Sequence, residues 1–252
     1  MKTGVNRDIG LWIATVKEFE TLIKHDPQTV FTTVSEVEQK RYSGIVNRAA
    51  GLHFLLGRYL LRYVLSTKSG VSILPADWEI FPDEQGRPRV LNQSVAPIKF
   101  SISHASGVVA IALSSTVDPG IDLEPLAREL GSSLNFRHLL SPEQYDQVMT
   151  IPSAAHCELL TRVWCIKESV SKVCGLGLRL PFSTIEFDLV SLLNSQLATW
   201  LECKVRERGS FWFNLCTLAQ RYWLCVAMES PALSPLGRLE PNHFNLLSRK
   251  AF

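Results

Sequence analysis

No stretch of this 252-residue chain stays apolar for the length a membrane span requires. The N-terminal MKTGVNRDIGLWIATV has no extended apolar core followed by a small-residue cleavage site, so no secretory leader is expected in it. The six cysteines (Cys157, Cys165, Cys174, Cys203, Cys216 and Cys225) contain no CxxC pair. Several fall in apolar patterns, where a free thiol packs as a small hydrophobe; zinc is not indicated and a reducing, cytoplasmic setting is expected. A strong excess of one charge is also missing. The formal net charge of +2 points away from bulk nucleic-acid binding and leaves any basic patch local. What remains, 46% hydrophobic and 20% charged, is the composition of a soluble globular protein of one large domain or two ordinary ones.

Along the chain, a strand is expected at Leu11–Val16, followed by the capping-box pattern Ser35-Glu36-Val37-Glu38. The spacing of Leu52, Leu55, Leu56, Tyr59, Leu60, Tyr63 and Val64 predicts a helix over Arg48–Leu65, with Arg58 and Arg62 one turn apart on its other side. A strand at Trp78–Phe81, a turn-rich PDEQGRPRV and a hairpin-like pair (Lys99–Ser103, Val108–Ser114) complete the first half. After SSTVDPG, a second capping pattern begins at Ser141-Pro142-Glu143-Gln144. A helix through VWCIKESVSKVCG stops at Gly175, with Trp164, Ile166, Val170, Val173 and Leu176 as its buried stripe. Strands are expected at Thr184–Leu189, around Lys204, at Phe211–Leu218 and at Tyr222–Met228. Helix, strand and hairpin-like pair thus occur twice, predicting an α+β fold of two similar halves, 1–116 and 117–252, with a ligand cleft between them.

The segment GIDLE raises a question of charge. In an extended strand Asp122 and Glu124 point to one face and Ile121 and Leu123 to the other. Two like charges that close repel by roughly 4 kcal/mol at an effective dielectric near 20, so a positive partner is required unless they are solvated edge residues. Glu168 and Lys172 are one helical turn apart, the arrangement of a surface ion pair. Glu168 would equally complete an oxygen-rich site with Asp122 and Glu124, suited to a hard cation such as Mg²⁺ that shares phosphate oxygens with a substrate. Ser103 and His104 fall in the expected turn between two strands; they are either solvated or placed to meet a phosphate. Gly86-Arg87-Pro88 is a tight turn from which Arg87 could present its planar fork.

In this order and at roughly this spacing, GRP, FSISH, GIDLE and WCIKESVSKVCGLGL resemble the hallmarks of the 4′-phosphopantetheinyl transferases, specifically the surfactin-type, pseudo-dimeric group, with Ser169 where Ala is also common. The resemblance implies two α+β halves related by a pseudo-twofold axis, and a monomer. It implies Mg²⁺-dependent transfer of the phosphopantetheine arm of coenzyme A to a serine of an apo acyl or peptidyl carrier protein, releasing adenosine 3′,5′-bisphosphate. By motif position Asp122, Glu124 and Glu168 would be metal ligands, and Glu168 also the candidate general base. Lys172 would hold the pyrophosphate; Lys167 matches the motif but faces elsewhere on the helix. His104 and Arg87, with Ser103 beside them, would hold the 3′-phosphate, and the adenine would lie against the Gly86–Pro88 turn. Lys40, Arg41 and Arg48 occupy a region where relatives carry basic residues, at a spacing too loose to transfer a role. The acidic helix of a carrier protein would meet a locally basic or apolar groove. A Mg²⁺-dependent phosphoesterase and a non-catalytic coenzyme A- or carrier-binding module are the rival readings; neither nucleic acid nor membrane is expected as a partner.

Overall fold

The computed structural model describes residues 9–93, 95–126, 136–229, 241–246 and 250–251; the first eight residues, part of the stretch in which no leader is expected, lie outside them. The chain divides into two units, residues 1–116 with 240–252, and residues 117–239.

The first unit runs β1 (Gly10–Thr15), α1 (Val16–His25), α2 (Pro27–Thr33), α3 (Glu36–Ser43), α4 (Arg48–Lys68), β2 (Ile80–Pro82), β3 (Pro88–Val90), β4 (Lys99–Ala105) and β5 (Val108–Ser114). The second runs β6 (Pro119–Pro125), α5 (Phe136–Leu139), α6 (Pro142–Met149), α7 (His156–Val173), β7 (Ile185–Glu186), α8 (Leu189–Asn194), β8 (Trp200–Val205), β9 (Gly209–Leu218) and β10 (Tyr222–Glu229). The chain then returns to the first unit with β11 (Pro241–Asn245) and β12 (Lys250–Ala251). The expected C-terminal half, 117–252, is corrected here: β11 pairs parallel with β1, Leu11 opposite Pro241, and Phe244 joins the first unit's core. No helix among the described residues is long and apolar enough to cross a membrane.

Each unit lays one long helix on a five-stranded sheet, antiparallel throughout in the second unit and antiparallel but for the β11–β1 pair in the first. In the first, α4 starts where the Asn47 side chain accepts the Ala50 N–H, and it packs on the order β11-β1-β5-β4. Leu55, Tyr59, Leu60 and Val64 meet Trp12, Val109, Ile111 and Phe100 there. In the second, α7 packs on β6-β10-β9-β8-β7, with Val163, Ile166 and Val170 against Phe213, Leu215 and Cys225. Trp164, Val173 and Leu176, expected in the buried stripe of α7, are only partly buried at its margin.

The internal repeat extends to a device that the sequence pattern does not announce. Both expected capping boxes form, Ser35 with Glu38 at the start of α3 and Ser141 with Gln144 at the start of α6. In each unit the residue at the third helical position of that box accepts from a buried cation on the long helix. Arg62, expected on the outer side of α4, is 1% exposed. Its guanidinium donates to Glu38 Oε2 (3.0 Å) and to the carbonyls of Pro75, Ala76 and Trp78, the turn that leads into β2. Lys167 is fully buried and donates to Gln144 Oε1 (2.6 Å), Leu139 O (2.8 Å) and Phe182 O (2.9 Å), the last at the turn that leads into β7. One cation thus ties the preceding helix, the long helix and the turn after it in both units. The repeats diverge in the strands that follow: β7 and β8 extend the main sheet, whereas β2 and β3 stand apart as a two-stranded ribbon.

Candidate functional site

The acidic strand β6 takes its place because Gly120 has no side chain. A Cβ there would lie 1.9 Å from the Ser169 carbonyl of α7, so the helix crosses the strand at van der Waals contact with its backbone. Alternation then turns Gly120, Asp122 and Glu124 to the face that α7 covers, opposite Ala227, Cys225 and Trp223 of β10. Burial first, then the charges of Asp122, Cys225 and Glu124, push the Cys165 thiol of α7 well above its ordinary pKa.

The positive partner of Asp122 is Lys172. Its ammonium donates to Asp122 Oδ1 and to the Ile121 carbonyl, each at 2.8 Å. Asp122 is 5% exposed, and the Lys172 side chain 25%. Burial alone would lower the pKa of Lys172, but Asp122 first and Glu168 second outweigh it and hold the ammonium above its ordinary value. The surface ion pair of Glu168 with Lys172 is therefore a bridge from helix to strand instead. Glu168, half-buried one turn earlier on α7, contributes its charge to the same corner. The GLG that closes the helix motif is structural: Gly175 (φ +71°) and Gly177 (φ +52°) lie in the left-handed region, reversing the chain past the end of α7.

Three carboxylates and one ammonium thus come from a five-residue strand segment and two turns of one helix. Hard oxygen donors suit Mg²⁺, so the donor chemistry fits the implied metal. Among the described residues no three acidic, histidine or cysteine side chains are gathered closely enough to cage an ion by themselves. A metal that shares its coordination with substrate phosphates and water does not need such a cage.

Lys167 is not a phosphate ligand. All three ammonium protons are engaged inside the protein, and burial brings its pKa down to about 7. Its signal was available in the helical spacing, since Leu160, Val163 and Val170 share its buried stripe.

In the first unit, the expected turn at Gly86 forms with φ +85°. Asp83 Oδ1 accepts the Arg87 backbone N–H (2.8 Å) and Oδ2 accepts Arg89 Nε (3.1 Å). Burial is the largest single effect and acts the other way, but these bonds, with the Gln85 N–H and the Arg89 charge, together outweigh it and hold the Asp83 carboxyl below the usual range. Pro88 opens β3, and Arg87 Nη2 reaches the Phe100 carbonyl of β4 (3.3 Å). Ser103 and His104 are not in a turn. Strand β4 continues to Ala105, pairing Ser103 with Ala110 and His104 with Val109, and the reversal falls at Ser106-Gly107. Neighbours in a strand face opposite ways: Ser103 is buried and His104 exposed, so the two do not share one ligand face.

His104 instead stacks on His53 of α4, with ring centroids 4.9 Å apart and planes within 13°. Sequence reading passed over His53, which lies between apolar positions and belongs to no motif. Arg41 and Arg58 lie over the Phe54 ring (5.0 and 5.4 Å), Arg48 pairs with Glu20, and Lys40 is exposed on α3.

Comparison with known proteins finds similarity to one family across the segment that holds the acidic corner. Residues 118–227, spanning β6, α7 and most of β10, match the family model of the 4′-phosphopantetheinyl transferase superfamily. The chain is similar to the L-aminoadipate-semialdehyde dehydrogenase-phosphopantetheinyl transferase of Mus musculus, 23% identical over 237 residues, covering 87% of this chain and 75% of that protein. It is similar to the 4′-phosphopantetheinyl transferase HetI of Nostoc sp., 24% identical over 178 residues with 70% and 72% covered. A third relative is the 4′-phosphopantetheinyl transferase pptA of Paxillus involutus, 25% identical over 185 residues with 65% and 67% covered. The resemblance carried by the motifs is met at the level of the superfamily.

Proposed function

We propose that this chain, a member of the 4′-phosphopantetheinyl transferase superfamily, transfers the phosphopantetheine arm of coenzyme A to a serine of an apo carrier protein. The observation that carries the reading is the corner of Asp122, Glu124, Glu168 and Lys172 at the crossing of β6 and α7. In the reaction the carrier serine oxygen bonds to the β-phosphorus of the pyrophosphate. The bond from that phosphorus to the bridging oxygen breaks, and adenosine 3′,5′-bisphosphate leaves with the electron pair.

Glu168, half-buried and on the helix that delivers Lys172, takes the serine proton directly or through one water. Lys172 stays protonated across the neutral range and presents its compact positive charge to the pyrophosphate, sharing it with Asp122. Asp122, Glu124 and Glu168 would hold Mg²⁺, which when bound neutralises pyrophosphate oxygens and stabilises the leaving phosphate. His104 and Arg87 bind the 3′-phosphate, Arg87 reaching from the Gly86 turn toward the strand that bears His104. Ser103 is withdrawn from that role by its opposite facing.

The repeated cation device supports the surfactin-type reading of two like halves in one chain, which needs no second copy. Trp12 and Ala14 stand on β1 where Asp122 and Glu124 stand on β6, each facing the long helix of its unit. The chemistry is therefore assigned to the second unit's strand alone. The test is intact-mass spectrometry of an apo acyl carrier protein incubated with this protein, coenzyme A and Mg²⁺, beside an EDTA control. A gain of one phosphopantetheine that EDTA abolishes is expected. Loss of coenzyme A without carrier modification would point to a phosphoesterase and overturn the transferase reading.

A further inference from the structure

The stacked imidazoles do more than pack. His53 Nε2 lies 3.1 Å from the Gly107 backbone nitrogen, whose N–H can only donate. Nε2 is therefore the acceptor, and neutral His53 carries its proton on Nδ1. Gly107 is itself held: it turns the β4–β5 hairpin with φ +84°, and its carbonyl accepts the Val16 N–H at 2.8 Å. The His53 ring is thus fixed at one end by α4 and at the other by a pinned hairpin turn. On its face lies the His104 ring, nearly parallel and exposed.

We propose that His53 is a positioning residue for the 3′-phosphate subsite, its imidazole serving as the fixed floor that sets the ring plane of His104. The proposal rests on the assignment of His104 to the 3′-phosphate. An exposed histidine on a strand has two free side-chain torsions, and stacking on an immobile ring confines both before the ligand arrives. Because Nε2 of His53 is committed to Gly107, that nitrogen is not offered to the ligand, and the ring presents its π face to His104. His53 touches neither phosphate nor the reacting atoms; it acts through His104.

The experiment compares coenzyme A with 3′-dephospho-coenzyme A as co-substrates for the full chain and for His53→Ala, His53→Phe, His53→Gln and His104→Ala, with a thermal melt of each. The wild type is expected to show a lower KM for coenzyme A, and His104→Ala to erase that preference. His53→Ala should cut the preference about fivefold, through KM for coenzyme A only, with kcat and KM for the dephospho form unchanged. His53→Phe, which restores an aromatic floor, should recover more of the preference than His53→Gln, which restores only an acceptor for Gly107. An unchanged preference in His53→Ala, or an equal loss on both co-substrates, would overturn the positioning role. If His53→Ala does not fold, the order of the Phe and Gln variants decides. A wild type with no preference would instead overturn the 3′-phosphate assignment beneath it.

Discussion

Gly120 and Lys172 carry the acidic corner in different ways, and single substitutions separate them. At Gly120 even one methyl group meets backbone, not a side chain that could rotate away, so helix and strand must move apart. Gly120→Ala should cost about 1–3 kcal/mol of stability, read as a lowered Tm, and should reduce transfer activity by shifting α7 off Asp122. Lys172→Met removes the ammonium from a buried carboxylate and, in the proposed reaction, from the pyrophosphate as well. A loss of roughly 100-fold in kcat/KM is expected, from steady-state assay with a carrier protein. Lys172→Arg should recover stability better than activity, because a guanidinium can pair with Asp122 but does not reproduce a point charge at the same place. Activity at the wild-type level in Lys172→Met would remove Lys172 from the mechanism.

The elements were legible where their causes are local, and less so where the causes are distant. Both capping boxes, the long helices and the alternation in GIDLE depend on residues within a turn or two of one another. The placement of Ser103 and His104 was misread because it depends on where the hairpin reverses, two residues beyond the polar Ser103-His104 pair. Arg62 and Lys167 stand on apolar stripes, so their burial could have been suspected. What makes it tolerable could not, since the acceptors of Lys167 come from residues 139, 144 and 182. Replacing it with Met should strand three acceptors and destabilise the protein by about 2–3 kcal/mol in chemical denaturation. The pH dependence has a definite sign. The folded Lys167 pKa is about 7 against 10.5 for the free side chain, so between those values the unfolded chain binds more protons and this group makes stability rise with pH. Below about pH 7 the contribution is flat. The difference between wild type and Lys167→Met should therefore grow from pH 7 to 10, and a constant difference would show that the buried amine keeps its ordinary pKa.

For the whole molecule, the two-unit division near residue 116 follows from the repeat in the sequence, but the return of the tail does not. Nothing in PNHFN marks it as a partner for GLWIAT, because strand pairing across that separation is chosen by the finished sheet and not by local pattern. Phe244 and Leu246 are nonetheless buried in the first unit, 0% and 1% exposed. Phe244→Ala should cost about 3–5 kcal/mol, with the loss appearing in amide hydrogen exchange of β1 and β5 before that of β9 and β10. The parallel pairing of β11 with β1 also imposes an order on synthesis. A ribosome delivers β1 ahead of the rest of the first unit and must translate the whole of the second unit before it delivers the strand that covers that edge. The first sheet therefore waits with an open edge for the time taken to make more than a hundred residues, several seconds or longer at ordinary rates, while the second unit is free to fold. Chains stalled before residue 241 should bind chaperones through the first unit, and release should coincide with the emergence of the tail.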